Sequence, residues 1–449
     1  MNVKIIERDK GILAYVPESM RFFEINNKTK RIIEALNENR TDQEIIAAYD
    51  ISQKGLISLK NQLTLMKQTK TSETYKNKRD YTPGLYKLVL NISNACNLRC
   101  RYCYANGGSY QSDEGLMSLE VCKDALDLFY NKFENITVIQ LFGGEPLMNM
   151  PLIRYVCEYI KENKKKTQIG LVTNGTLINQ EFIDLVKEYN ISVTVSYDGV
   201  PVVNDIMRVT VNGSGTSDRI LSNIKWLQQE TGQPGTIEVT FNQKHVDHDI
   251  TIGDVIRFMR ENVGNVPLHI TAAGGEKTCD FVLEDRQAFI QSIDDIFDNP
   301  DNVPLYTYAI AAKMITNLYK KEKSDYLCSA GLNALSVSID GDVYPCFMFT
   351  DDTSLCMGNI YEDDFMHQEK FTSIIQRLME FKKENIPECK DCFMQKSCFG
   401  CLGLNLLETG SVFKTSKESC DMYRQMMEQV IYRVYLKQKE EASLHENAG

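Results

Sequence analysis

Between residues 84 and 322, apolar runs and amphipathic stretches alternate six times. The runs are LYKLVLNIS, ITVIQLFGG, QIGLVTNG, ISVTVSYDG, GTIEVTFN and VPLHITAAG. Each is nearly continuously apolar, the pattern of a strand buried on both faces in a parallel sheet. After each comes a stretch with apolar residues at helical spacing, from SLEVCKDALDLFYNKF after the first to DRQAFIQSIDDIFD after the last. Six βα units are too few to close an eight-stranded barrel. They predict an α/β fold built on a partial (β/α)6 TIM-like barrel, with its site at the C-terminal ends of the strands.

The flanks read differently. Residues 1–70 carry three alternating segments, VKIIER, GILAYV and MRFFEI, then three helical ones. This predicts a small α/β module of winged-helix-like layout. Thr41 and Glu44 in TDQE have the spacing of a helix capping box. The polar, Lys-rich stretch 71–84 reads as a linker, and 85–322 as the barrel. Over 323–425 the regular pattern fades and cysteines take over. Residues 426–449 read as a helix with a charged tail.

Composition narrows the chemistry. Fifty Lys and Arg against 61 Asp and Glu give a formal charge of −11, which argues against nucleic acid as the main partner. No apolar run is long enough to span a membrane. The opening MNVKIIERDKG lacks the apolar core of a signal peptide, so a cytoplasmic protein is expected. Fourteen cysteines are many for such a chain. Clustered, closely spaced cysteines in a non-secreted protein point to metal rather than to disulfides.

Cys96, Cys100 and Cys103 form C-x3-C-x2-C in NISNACNLRCRYCYANGG, on the loop after the first barrel strand. Three thiolates on one short loop can hold three irons of a cubic [4Fe–4S] cluster and leave the fourth open. The competing reading is a zinc site, but no His lies nearby and zinc knuckles favour C-x2-C pairs with a fourth protein ligand.

With Tyr102 before its third cysteine, the motif resembles the signature of the radical S-adenosylmethionine (SAM) superfamily. The resemblance implies that Cys96, Cys100 and Cys103 hold the catalytic cluster and that SAM binds its open iron. Later motifs at successive strand ends agree. Gly143, Gly144, Glu145 and Pro146 resemble the family's GGEP, which contacts the SAM amino group. Thr173 and Asn174 with Gly175 resemble its TNG. Ser196 and Asp198, in SYDG, resemble its SxDG, a ribose- and carboxylate-binding element. Arg208 resembles the Arg that pairs with the SAM carboxylate, a task suited to a planar fork.

The second cysteine set resembles a SPASM domain, a C-terminal extension that holds auxiliary [4Fe–4S] clusters. The family pattern is C-x9–15-G-x4-C, then C-x2-C-x5-C-x3-C and a final Cys. This chain has C-x12-G-x4-C from Cys328 to Cys346, then C-x2-C-x5-C-x2-C at Cys389, Cys392, Cys398 and Cys401, then Cys420. The resemblance implies an outer cluster on Cys389, Cys392, Cys398 and Cys420, and an inner one on Cys328, Cys346 and Cys401. That makes three [4Fe–4S] clusters with SAM. Some members carry a further Cys where this chain has Ala334. The inner cluster therefore has either an open iron or Cys356 as its fourth ligand. Cys122 and Cys157 read as buried small hydrophobes. No His is assigned a role.

The first module resembles the PqqD-like recognition domain of peptide maturases, in which a leader peptide adds a strand to a sheet edge. Together these resemblances imply a radical SAM/SPASM maturase of a ribosomally made precursor peptide. A 5′-deoxyadenosyl radical would abstract hydrogen, and Cys thioether crosslinks of sactipeptide or ranthipeptide type would be its product. The alternatives are a carbon–carbon crosslinking maturase, an oxidase of the anaerobic sulfatase-maturing type, and a non-enzymatic iron–sulfur electron carrier. The implied partners are a precursor peptide with its leader and an electron donor such as flavodoxin or ferredoxin, with neither nucleic acid nor membrane.

Overall fold

The computed structural model describes residues 2–67, 84–299, 307–350 and 352–447. The first three alternating segments pair as an antiparallel sheet in the order β1 (Lys4–Arg8), β2 (Gly11–Val16), β3 (Arg21–Ile25). Helices α1 (Asn27–Asn37), α2 (Asp42–Tyr49) and α3 (Gln53–Lys67) follow. Thr41 and Glu44 cap α2 reciprocally, as TDQE predicts. Successive side chains of a strand face opposite ways. Ala14 and Val16 of β2 thus pack with Ile33 and Leu36 of the module's own helices, while Leu13 and Tyr15 enter the main core. Tyr15 meets Phe393 edge-on at 6.0 Å. The linker expected over 71–84 lies, apart from Gly84, outside the described residues.

The six apolar runs become β4 (Gly84–Ser93), β5 (Asn135–Gly143), β6 (Gln168–Thr173), β7 (Ser192–Ser196), β8 (Thr236–Phe241) and β9 (Leu268–Ala272). They pair in parallel and in sequence order. The helices between them are α4 (Leu119–Lys132), α5 (Met150–Glu162), α6 (Gln180–Tyr189), α7 (Pro201–Met207), α8 (Ser217–Thr231), α9 (Gln243–Asp247) and α10 (Ile252–Val263), and α11 (Gln287–Asp298) follows β9. Cys122 on α4 and Cys157 on α5 are fully buried in this layer.

One expectation needs correcting. β7–β9 are not continuously apolar in effect. Val193, Val195, Ile237, Val239 and Ile270 are buried, whereas Thr194, Thr236, Glu238, Thr240 and Thr271 between them are only half-buried. An open barrel leaves its inner face accessible, so these strands alternate instead of being covered on both sides.

The cysteine-rich region is more regular than its sequence suggests. After α12 (Ala309–Lys320), β10 (Ala334–Val337) pairs in parallel with β4, and β11 (Asp342–Tyr344) and β12 (Gly358–Asn359) extend the sheet. The result is nine strands in the order β12-β11-β10-β4-β5-β6-β7-β8-β9. Strands of two to four residues are too short to show a period. Then come α13 (Glu369–Glu380), α14 (Pro387–Lys390), α15 (Leu402–Thr409) and α16 (Lys417–Asn447). Arg433 of α16 pairs with Asp294 of α11 at 2.6 Å, and Lys4 of β1 with Glu428 of α16 at 2.7 Å. No described helix is long and apolar enough to cross a membrane.

Candidate active site

β4, β5, β6 and β7 end side by side, and their loops carry the predicted motifs. The β4 and β5 loops touch through backbone: Gly144 N donates to Ser93 O at 2.7 Å and Glu145 N to Ala95 O at 2.9 Å. A Cβ on Gly143 would lie 2.3 Å from Ser93 O, and one on Gly144 2.4 Å from Ala95 O. Only glycine permits this approach, which sets Glu145 beside the cysteine loop. Pro146 then opens a short turn, Pro146–Asn149.

Glu145 is fully buried. Its carboxylate accepts from Thr173 Oγ1 at 2.7 Å, Asn174 N at 2.7 Å and Leu147 N at 3.0 Å. Burial pushes its pKa up, and these three donors oppose the rise. A carboxylate has about four acceptor positions, so about one remains for a ligand's ammonium. The Thr173–Asn174 turn also reaches the cysteine loop: Asn174 Nδ2 donates to Asn97 Oδ1 at 3.0 Å and approaches Cys96 Sγ at 3.8 Å. Asn97 in turn donates to Thr176 Oγ1 at 2.8 Å.

The other side of the loop is tied to β7. Tyr102 Oη donates to Asp198 Oδ2 at 2.6 Å and accepts from Arg208 Nη1 at 2.9 Å. Asp198 Oδ1 accepts from Thr240 N at 3.1 Å. Burial raises the Asp198 pKa, with Arg208 and Tyr102 pulling it back. Arg99 N and Arg101 N donate to Val209 O and Met207 O, so the cysteine loop and the Arg208 segment run together. Arg208 is buried, and its Nε has no hydrogen-bond partner. A buried guanidinium with an orphaned donor is the observation that fits an anionic ligand here, such as the SAM carboxylate. Ser196 ends β7 with its side chain half-buried.

None of the fourteen cysteines forms a disulfide. Cys96, Cys100 and Cys103 are mutual electrostatic neighbours. Burial pushes Cys96 up to about 12 and raises Cys100, with Arg208 opposing the rise at Cys100. The second set divides in two. Cys346 has Cys328 and Cys401 as neighbours, and Cys389 has Cys398, Cys420 and Cys392. Burial pushes Cys328 and Cys420 up to about 11 and Cys389 up to about 12. Cys389, Cys392, Cys398, Cys401 and Cys420 line one cavity. Among the described residues no three His, Cys, Asp or Glu converge as ligands of a single ion. Grouped thiols with no His among them are a donor set that fits iron–sulfur clusters. Ligation requires these thiols to lose their protons.

Ala334 lies within β10, paired with Lys87 of β4. Cys356 approaches Gly358 O at 3.7 Å and Lys370 Nζ at 3.3 Å. Cys279 lies half-buried on the loop after β9.

Sequence reasoning missed His245. It is fully buried, stacks on Phe241 at 4.4 Å, and its Nε2 bonds the Asp198 carbonyl at 2.8 Å. Asn204 Oδ1 accepts from Asp198 N at 3.3 Å. Both act on Asp198 backbone, which leaves no spacing motif to read.

Comparison with known proteins agrees with this geometry. Residues 90–251 match the radical SAM superfamily, and residues 328–393 match the SPASM iron–sulfur cluster-binding domain. The radical SAM cyclopropyl synthase TigE of Paramaledivibacter caminithermalis is 24% identical over 446 residues, covering 94% of this chain and 88% of its own. The structure of anSMEcpe with bound AdoMet superposes with a TM-score of 0.65 at 18% identity, over 78% of this chain and 98% of that one. Streptococcus suis SuiB bound to precursor peptide SuiA gives 0.54 at 14% identity, over 93% and 98%. These likenesses cover the fold of nearly the whole chain.

Proposed function

We propose that this chain, which carries a radical SAM domain followed by a SPASM iron–sulfur cluster-binding domain, is a maturase of a ribosomally made precursor peptide that forms Cys thioether crosslinks. Cys96, Cys100 and Cys103 would hold the SAM-binding cluster, the four outer cysteines a second, and Cys328, Cys346 and Cys401 a third. When bound, cluster and SAM supply one-electron SAM cleavage and hydrogen abstraction from an unactivated C–H bond. The residues around them bind and orient. Arg208 offers its free Nε to a carboxylate, and Glu145 its remaining lone pair to an ammonium. Tyr102 fixes the distance between the cysteine loop and Asp198. The half-polar inner face of β7–β9 leaves room for a peptide to reach these groups.

The observation that carries the thioether reading is the three-cysteine inner set. Ala334 is part of the sheet, and Cys356 is engaged by Gly358 and Lys370. An inner cluster with three protein thiolates leaves one iron for a substrate thiolate, which places sulfur beside the carbon to be bonded. The leader would add to β3, an edge strand whose backbone pairs with β2 alone among the described residues, as in β-augmentation. A flavodoxin- or ferredoxin-type donor would supply the electron, in a cytoplasmic setting.

A second reading is favoured by the similarity to a cyclopropyl synthase along almost the whole chain, and is carbon–carbon bond formation. One experiment separates the two. The anaerobically reconstituted enzyme, SAM and reductant are incubated with a Cys-containing precursor peptide encoded beside the gene. Intact mass is then read before and after thiol alkylation. Loss of two hydrogens with loss of one alkylatable thiol, stable to disulfide reduction, supports the thioether. Loss of two hydrogens with every thiol still alkylatable moves the assignment to a carbon–carbon bond.

A further inference from the structure

Lys383 follows α13 on the stretch that leads to Cys389. It is 1% exposed. Its Nζ donates to the Cys398 carbonyl at 2.8 Å. The charged or ionisable groups around it are Cys398, Cys389, Asp325 and Lys396. Asp325 is itself faced by Lys396 at 3.7 Å. Among the described residues, no carboxylate stands within the 4.0 Å ion-pair distance of Lys383 Nζ.

A buried ammonium without a counter-ion is costly and is not retained by packing alone. The nearby Arg424 makes the contrast plain. It also reaches Cys392, but Asp421, which it shares with Lys417 at 2.6 Å, pairs with it at 2.5 Å and offsets part of its charge. Lys383 has no carboxylate at ion-pair distance, and the nearest groups that can answer its charge are the thiolates of the outer set.

We propose that Lys383 is the resident counter-charge of the outer cysteine set, and that it raises the reduction potential of the cluster held by Cys389, Cys392, Cys398 and Cys420. The proposal rests on the reading that these four cysteines hold a cluster. Four thiolates carry more negative charge than a [4Fe–4S] core carries positive, and one-electron reduction adds another. A fixed cation in a desolvated site stabilises the reduced form more than the oxidised one. A raised potential suits a group that accepts the electron leaving an oxidised substrate.

The test uses the full chain with Cys96, Cys100 and Cys103 replaced by Ala, anaerobically reconstituted so that only the auxiliary clusters remain. Dithionite supplies electrons, and each cluster is followed by its EPR signal in a redox titration. Lys383→Met keeps the length and removes the charge, and Lys383→Arg keeps the charge. In Lys383→Met, one cluster's equilibrium constant for reduction falls at least tenfold, about 59 mV for one electron. The other cluster stays within a factor of three, and Lys383→Arg stays near the parent. Arg424→Met moves the same cluster less than Lys383→Met does. Loss of four irons in Lys383→Met but not in Lys383→Arg also supports the counter-charge. Unchanged potentials, equal shifts of both clusters, or iron loss in both Lys383 variants overturn it. A parent with iron for one auxiliary cluster only, and none bound by the outer set, overturns instead the reading on which the proposal rests.

Discussion

The hydroxyl of Tyr102 donates to the carboxylate of Asp198 at 2.6 Å, across 96 residues of sequence. The bond joins the cysteine loop after β4 to the turn after β7. Through Tyr102, Arg208 is held over the same point, at 2.9 Å. An aromatic before the third cysteine thus has a mechanical task, which is to set the cysteine loop against the groups that would bind the SAM carboxylate and ribose.

Tyr102→Phe tests that task. It deletes two hydrogen bonds from a neutral hydroxyl to charged groups, one to Asp198 and one from Arg208, and a loss of about 1.5 kcal/mol is roughly tenfold in affinity. SAM binding, measured by calorimetry on the reconstituted protein, is expected to weaken by that factor with the iron content unchanged. Equal affinity would show that the Asp198–Arg208 geometry does not depend on the loop.

Glu145→Gln puts an amide N–H₂ among three donors that now meet a carboxylate. At least one donor is left facing another. The expected cost is about 1–3 kcal/mol, seen as a lower thermal unfolding midpoint. An unchanged midpoint would mean that the Thr173–Asn174 turn can move away from residue 145 without penalty.

Lys321 gives a pH prediction for the docking of the first module. Its Nζ donates to Met20 O at 2.6 Å, and burial lowers its pKa from 10.5 to about 8. The folded state disfavours the charged form, so this side chain is a liability below about pH 8. Between about 8 and 10.5 the unfolded chain holds a proton that the folded chain has released, and stability rises with pH. Lys321→Met lacks this term. The variant's advantage in urea midpoint is therefore expected to shrink from pH 8 to pH 10.5, and a constant difference would contradict the assignment.

The leader-binding reading is best tested without deleting the module. Tyr15 and Leu13 are fully buried in the main core, and Tyr15 packs on Phe393 near the outer cysteines, so deletion would expose that core. Proline placed at the β3 positions whose N–H points away from β2 removes a donor while sparing the sheet's inner pairing. Leader affinity, read by fluorescence anisotropy, is expected to fall about tenfold for loss of one or two such bonds. Full affinity in every such variant would place the leader elsewhere.

Much of this fold was legible because its signals are local. Six apolar runs with helical stretches between them need no long-range information, and neither does the capping box at Thr41 and Glu44. C-x3-C-x2-C and the glycine pair at 143–144 are equally local. What escaped is set by contacts distant in sequence. β10 joins β4 from nearly 250 residues away through four residues, too few to carry a period. His245 supports Asp198 through a backbone carbonyl 47 residues distant, and Lys383 answers cysteines that precede no recognisable motif for it. Such partners are fixed by three-dimensional packing and leave no spacing in the chain.

The most direct measurement is SAM cleavage by the reconstituted full chain under dithionite, compared with the Cys96→Ala, Cys100→Ala, Cys103→Ala triple variant. The parent is expected to release 5′-deoxyadenosine, and the variant to release none while keeping its auxiliary iron. Release from the triple variant at the parent's rate would contradict the assignment of the catalytic cluster to these three residues.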